Sequence, residues 1–118
     1  MKEEKFRIGK EILTETDCQF EIVVDGDTFV MKAPQPKDFS SINARTTYYM
    51  GGAEMASISS EAYIQAVASS YIYVLLLKFP DWWKGVDECY DVDLIVEIYS
   101  IFTEKYEAFK ERLKKNRR

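Results

Sequence analysis

Apolar and polar positions alternate in the first quarter of the chain, switch to helical spacing after a pair of prolines, and keep that spacing to the end. Phe6, Ile8 and Ile12 lie two or four residues apart within 6–13, a weak strand signal. Cys18, Phe20, Ile22 and Val24 then alternate with Gln19, Glu21 and Asp25, the period of a strand buried on one face. Asp25-Gly26 follows, ahead of Thr28-Phe29-Val30-Met31-Lys32. Glycine accepts the positive φ of a type I′ turn, so this pattern predicts a hairpin. A hairpin or three-stranded meander is expected over about 5–33. A lone hairpin is marginal in water, so its apolar face should pack on the helices that follow.

Pro34 and Pro36 end the sheet. Pro36 suits the first turn of a helix, where its missing N–H costs nothing, and Asp38 complements the positive end. The first helix is predicted over about 36–50, with Phe39, Ile42, Thr46, Tyr49 and Met50 on one face and Gly51-Gly52 as its stop. Residues 54–60 read as a loop, with Ser59 capping the next helix. That second helix, over about 60–78, carries Ile64, Val67, Ala68, Tyr71, Ile72, Leu75 and Phe79 at helical spacing. Ala66, Val74 and Leu77 cover much of its other side, leaving Gln65, Ser69 and Tyr73 as a narrow polar strip. A helix apolar nearly all round is expected to be surrounded. Pro80 ends it, just before Trp82-Trp83.

A third helix is predicted over about 91–114, capped by Asp91 with Asp93 in its first turn. Its length is on the order of 35 Å at 1.5 Å per residue. Ile95, Tyr99, Phe102, Tyr106, Phe109 and Leu113 are spaced four and three residues apart in turn, the seam of a helix packed lengthwise on another. The fold class is therefore α+β: an N-terminal hairpin region on three helices, in one domain over 1–118, with 115–118 as a basic tail.

Composition narrows the chemistry. The chain has 118 residues, 47% of them hydrophobic and 31% charged, which is enough for one core without staples. It contains no histidine, which removes the usual general base near neutral pH and the commonest zinc ligand. Cys18 and Cys89 stand far apart, with no Cys-x-x-Cys spacing for zinc or redox work. No signal peptide is read at the N-terminus, so free thiols in a reducing cytoplasm are expected. The longest uncharged run, Ala62–Leu77, is sixteen residues. A spanning helix needs about 20, so no membrane segment is expected.

Charge is uneven. Six basic residues and one acid occupy the last nine positions, whereas the rest of the chain has ten basic and nineteen acidic residues. A basic end can bind nucleic acid. Here it also complements a helix C-terminus, and the acidic body would repel phosphate, so no nucleic-acid partner is expected.

No enzyme is expected. Asp81, Asp87, Glu88, Asp91 and Asp93 form the densest carboxylate cluster, but their spacing matches no calcium loop. Gly51-Gly52 lacks the following Lys-Ser/Thr of a phosphate loop, and Ser59-Ser60 lacks a nucleophile elbow. No catalytic residue, metal site or cofactor is assigned. The candidates that remain are for protein interaction: Trp82 and Trp83, because tryptophan is the commonest interface hot spot, and the ring-rich seam Tyr99, Phe102, Tyr106, Phe109 and Leu113. One tryptophan is expected to lid the helical core and the other to stay open. The distal part of the third helix is expected to project past the second and contact another chain.

Three stretches carry a resemblance. They are Phe29-Val30-Met31-Lys32-Ala33-Pro34 with Pro36 and a helix after it, the apolar run ending in Lys78-Phe79-Pro80-Asp81-Trp82-Trp83, and Asp91-Val92-Asp93-Leu94-Ile95-Val96-Glu97-Ile98-Tyr99 leading into Phe109. Together, over roughly residues 27–113, they resemble the small tail assembly chaperones of long-tailed phages and prophages. The resemblance implies an oligomer, often a ring or spiral, that coats the tape-measure protein until the tail tube protein polymerises around it. It implies a place in the bacterial host cytoplasm and absence from the mature virion. It also implies a longer product made by programmed frameshifting; Leu113-Lys114-Lys115-Asn116 is where an A-rich slippery run would fall, and a gene lacking one there would count against that. The alternative reading is a small adaptor or inhibitor that binds one protein target through its aromatic helix face.

Overall fold

The computed structural model describes residues 5–8, 11–54 and 57–117. The chain is α+β, in the order β1 (Lys5–Ile8), β2 (Glu11–Thr14), β3 (Gln19–Val24), β4 (Asp27–Lys32), α1 (Pro36–Tyr49), α2 (Ser60–Leu75), β5 (Leu76–Lys78) and α3 (Val92–Arg117). Asp25 and Gly26 adopt φ of 50° and 85°, the left-handed pair of a type I′ turn. That turn sets the β3–β4 register, which places Phe20 opposite Met31 and Ile22 opposite Phe29, all four buried.

Two expectations need correction. Residues 5–33 do not form one hairpin or one meander. They form two antiparallel hairpins in separate sheets, β1–β2 and β3–β4, separated by a 3₁₀ turn at Thr16–Cys18. The Thr14 N–H and hydroxyl both donate to Asp17 Oδ2, at 2.9 and 3.1 Å, which turns the chain out of β2. The third strand beside β4 comes instead from the end of the predicted second helix. Helix α2 stops at Leu75, and Leu76–Lys78 pair antiparallel with Val30 and Met31. The physical reason lies at both ends of this segment. Pro80 biases Phe79 toward extended backbone, and the open edge of β4 supplies the hydrogen bonds a helix would have made.

The helix ends follow their local chemistry. Asp38 Oδ2 accepts the Gln35 N–H at 2.9 Å and pairs with Lys32 at 2.9 Å. Burial works against the Asp38 charge, but the hydrogen bonds from Lys32 and Gln35 outweigh it and hold the carboxyl below its ordinary range. Ser59 Oγ accepts the Ala62 N–H, and Asp91 Oδ1 accepts the Leu94 N–H, each at 3.1 Å. After α1 the Gly52 N–H reaches back to the Thr47 carbonyl at 3.1 Å through left-handed Gly51 and Gly52. Helix α3 runs to Arg117, so the tail expected after residue 114 is still helical through that residue.

The core lies between the β3–β4–β5 sheet and helices α2 and α3. Ile22, Phe29, Met31, Ile72, Leu75, Ile98 and Phe102 are all fully buried. Each such side chain contributes on the order of 1.5–3 kcal/mol by leaving water. Ile98 was not in the predicted seam; it widens the stripe of Ile95 and Phe102 so that α3 meets both α2 and β3. Helix α1 packs on α2, where the fully buried Ser70 accepts the Thr46 hydroxyl at 2.9 Å and donates to the Ala66 carbonyl at 2.7 Å. Helix α2 is not surrounded as expected: Ile64 and Tyr73 are about half exposed. The helix is apolar on two sides, but α1, α3 and the sheet leave part of it open.

Candidate protein-interaction surface

The chain leaves β5 at Lys78 and turns at Pro80, whose carbonyl accepts the Trp83 N–H at 3.0 Å. This turn drives Trp83 into the core and leaves Trp82 outside. The Trp83 ring is 6% exposed and meets Phe29 edge to face at 5.4 Å. Trp82 is 49% exposed, although its ring rests edge-on against both Phe29 (6.1 Å) and Trp83 (6.0 Å). One tryptophan is thus a lid and the other stands on it.

Two further rings line an adjoining cleft that shares Trp83, Lys84 and Gly85 with the one lined by Trp82. Tyr73, on the last turns of α2, and Phe79, just past β5, are each about half exposed. With Leu76, Trp83 and Lys84 they line a shallow cleft of about 230 Å³. Lys84 is exposed at its edge. Neither ring was chosen from the sequence. Tyr73 fell on the polar strip of a continuous helix and Phe79 on its core face. The signal that would have separated them is the proline after Phe79, which disfavours helix at that residue.

The Tyr73 ring is held from behind. The Arg45 guanidinium lies 3.8 Å from its centroid, 4.4 Å from that of Tyr48 and 5.1 Å from that of Tyr49. Arg45 also pairs with Asp87 Oδ2 at 3.0 Å, while the Tyr49 hydroxyl donates to Asp87 Oδ1 at 2.7 Å. These contacts join α1, the end of α2 and the loop before α3, so the exposed Tyr73 ring stands on a fixed frame. Burial, and next the hydrogen bond to Asp87, push the Tyr49 phenol up to about 12.

The α3 seam faces inward. Phe102 is buried and touches Phe20, Tyr71, Tyr99 and Tyr106 at centroid distances of 5.6–6.5 Å. Phe109 does not project past the fold: it packs edge-on against Phe20 of β3 at 5.6 Å. Tyr99, Tyr106, Phe109 and Leu113 are each partly buried. The sheet supplies the cover that α2 is too short to give. Burial also raises the Tyr71 phenol, with Tyr99 and Tyr106 beside it. Of the seven predicted interaction residues, Trp82 is the exposed one and Trp83 and Phe102 belong to the core.

The acidic cluster disperses. Asp87 serves Arg45 and Tyr49, and Asp91 caps α3. Among the described residues no three Cys, Asp or Glu side chains are placed to share a metal ion. Cys18 and Cys89 are free and partly buried; burial, then Asp17 and Glu15, raise the Cys18 thiol and disfavour its thiolate. Among the described residues no helix is long and apolar enough to cross a membrane. Comparison with known protein families, curated proteins and solved structures finds no match to this chain.

Proposed function

We propose that this chain is a tail assembly chaperone of a long-tailed phage or prophage. In this reading it acts as an oligomer in the host cytoplasm and keeps the tape-measure protein soluble until the tail tube protein displaces it. It performs no catalysis. The observation that supports this best is the half-exposed Trp82 set edge-on against the buried Trp83–Phe29 pair, with half-exposed Tyr73 and Phe79 lining an adjoining cleft that shares Trp83 and Lys84. Rings supported in this way lose little conformational freedom on binding, and aromatic anchors dominate protein contacts. Contacts that are weak one by one become retentive when several copies line one client, yet each stays displaceable. The motif Lys78-Phe79-Pro80-Asp81-Trp82-Trp83, which carries the resemblance, supplies two of the three rings.

The test is co-expression with the tape-measure protein encoded beside it, followed by affinity capture and mass determination. A soluble complex holding several copies of this chain per client, weakened by Trp82→Ala and Phe79→Ala, is the expected result. A client that stays insoluble and captures nothing would overturn the reading.

A second reading is favoured by the inward turn of the α3 seam, which puts Phe102 in the core and Phe109 against Phe20 and so offers no long ring-rich helix face to an extended client. In that reading the chain is an adaptor or inhibitor of a single protein target, binding with one copy per target. Copy number in the captured complex separates the two.

A further inference from the structure

On the side of α2 and α3 that bears Ile64 and Val96 lies a second, larger groove of about 620 Å³. Ile64, half exposed, and Val96 form its apolar floor, and Glu61, Asp93 and Glu97 frame it. All three carboxylates are exposed, and among the described residues none of them makes an ion pair. The other end of α3 carries the opposite arrangement. Lys110, Lys114 and Arg117 stand at i, i+4 and i+7, so one helical stripe presents three cations beside the partly buried Leu113. Lys110 pairs with Glu107 (2.7 Å) and lies 4.7 Å from the centroid of the Tyr106 ring, and Lys114 pairs with Glu111 (3.4 Å), all on the same helix. Exposed pairs of this kind are weak and readily exchanged.

We propose that the groove receives the C-terminal turns of α3 from a second copy of the chain, Lys110, Lys114 and Arg117 facing Glu61, Asp93 and Glu97. Charge complementarity selects this occupant. The stripe belongs to the six-in-nine basic end of a chain whose remainder is acidic, and its three cations match the three carboxylates of the groove in sign and number. Groove and stripe are about 27 Å apart along α3, at 1.5 Å per residue, so a chain cannot fill its own groove. The contact joins unlike surfaces. Repeated, it closes into a ring or continues as a helical array, according to the rotation between copies. The inference gives surfaces to the oligomer in the reading above and rests on that part of it alone; client capture by Trp82 and Phe79 is a separate measurement.

The experiment is sedimentation of the full chain over a range of concentration at about 0.05 and 1 M salt, where the screening length falls from more than 10 Å to about 3 Å. Wild type should exceed the 13.8 kDa monomer at low salt and return toward it at high salt. Glu61→Lys/Glu97→Lys and Lys110→Glu/Lys114→Glu should each be monomeric, with unchanged circular dichroism. Their equimolar mixture should recover the higher mass, because each groove again meets a tail of opposite sign. A monomeric wild type, a salt-insensitive oligomer, or failure of the mixture to reassociate would overturn the proposal. Client capture that persists in the monomeric variants would leave the chaperone reading standing, whereas loss in Trp82→Ala with assembly intact would assign capture to the aromatic surface.

Discussion

Trp83 meets Phe29 edge to face, with ring centroids 5.4 Å apart and planes at 84°, and this contact closes the end of the core nearest β5. Phe29 is fully buried and receives Trp82 in a second edge contact at 6.1 Å. Two adjacent residues of one type therefore have different duties, assigned by the turn at Pro80.

The two tryptophans should separate under mutation. Trp83→Ala removes a buried ring and leaves a cavity, so it should cost about 3–5 kcal/mol. Trp82→Ala removes a half-exposed ring and should cost about 1 kcal/mol or less. Chemical denaturation of both variants checks this; equal losses would contradict the division of roles.

Ser70 should behave as a small spacer more than as an indispensable hydroxyl. Replaced by alanine, it leaves Thr46 Oγ1 its second partner, the Ile42 carbonyl at 2.9 Å. Ser70→Ala should therefore cost about 1 kcal/mol, the net worth of one hydrogen bond. Ser70→Leu should cost more, about 1–3 kcal/mol or beyond, because the site has no exposed surface into which the added atoms can move. Urea midpoints of the two variants give the order.

Alkaline stability should depend on Tyr49. Its phenol is raised from the ordinary 10 to about 12 in the fold. The folded chain thus holds this proton more tightly than the unfolded one. The associated stability is fully present below about pH 10 and is lost as pH rises from 10 to 12. Tyr49→Phe should flatten that part of the curve, and thermal melts of both proteins between pH 9 and 12 measure the difference. An unchanged alkaline limb would place the proton-linked loss elsewhere.

The last turns of α3 should matter for folding. Phe109→Ala exposes Phe20 on one side and should cost about 1–3 kcal/mol, less than a fully buried phenylalanine because Phe109 is partly exposed. Truncation after Glu104 removes both Tyr106 and Phe109 and should lower the melting temperature by more than 5 °C at this chain length. A truncated chain as stable as the full one would mean that these rings serve only an interface.

Much of the architecture was legible because it is written in local terms. Alternation at Phe20, Ile22 and Val24, the Asp25-Gly26 turn, the caps at Ser59 and Asp91 and the stop at Gly51-Gly52 each depend on a few neighbouring residues. The candidate surface was legible in part. The pair Trp82-Trp83 stood out by residue type, and one of the two is the open ring. Tyr73 and Phe79 did not stand out, since exposure is decided by which neighbours arrive and not by the residue itself.

By itself the sequence determined the α+β class, the β3–β4 hairpin, three helices and the absence of histidine chemistry. Tertiary structure decided the rest. Leu76–Lys78 became a strand because β4 had a free edge beside it. Phe109 turned inward because Phe20 waited across the helix, and Arg45 found Tyr48, Tyr49, Tyr73 and Asp87 from three segments. Local propensity concerns a residue and its near neighbours in the chain, whereas burial depends on partners distant in sequence that folding brings together.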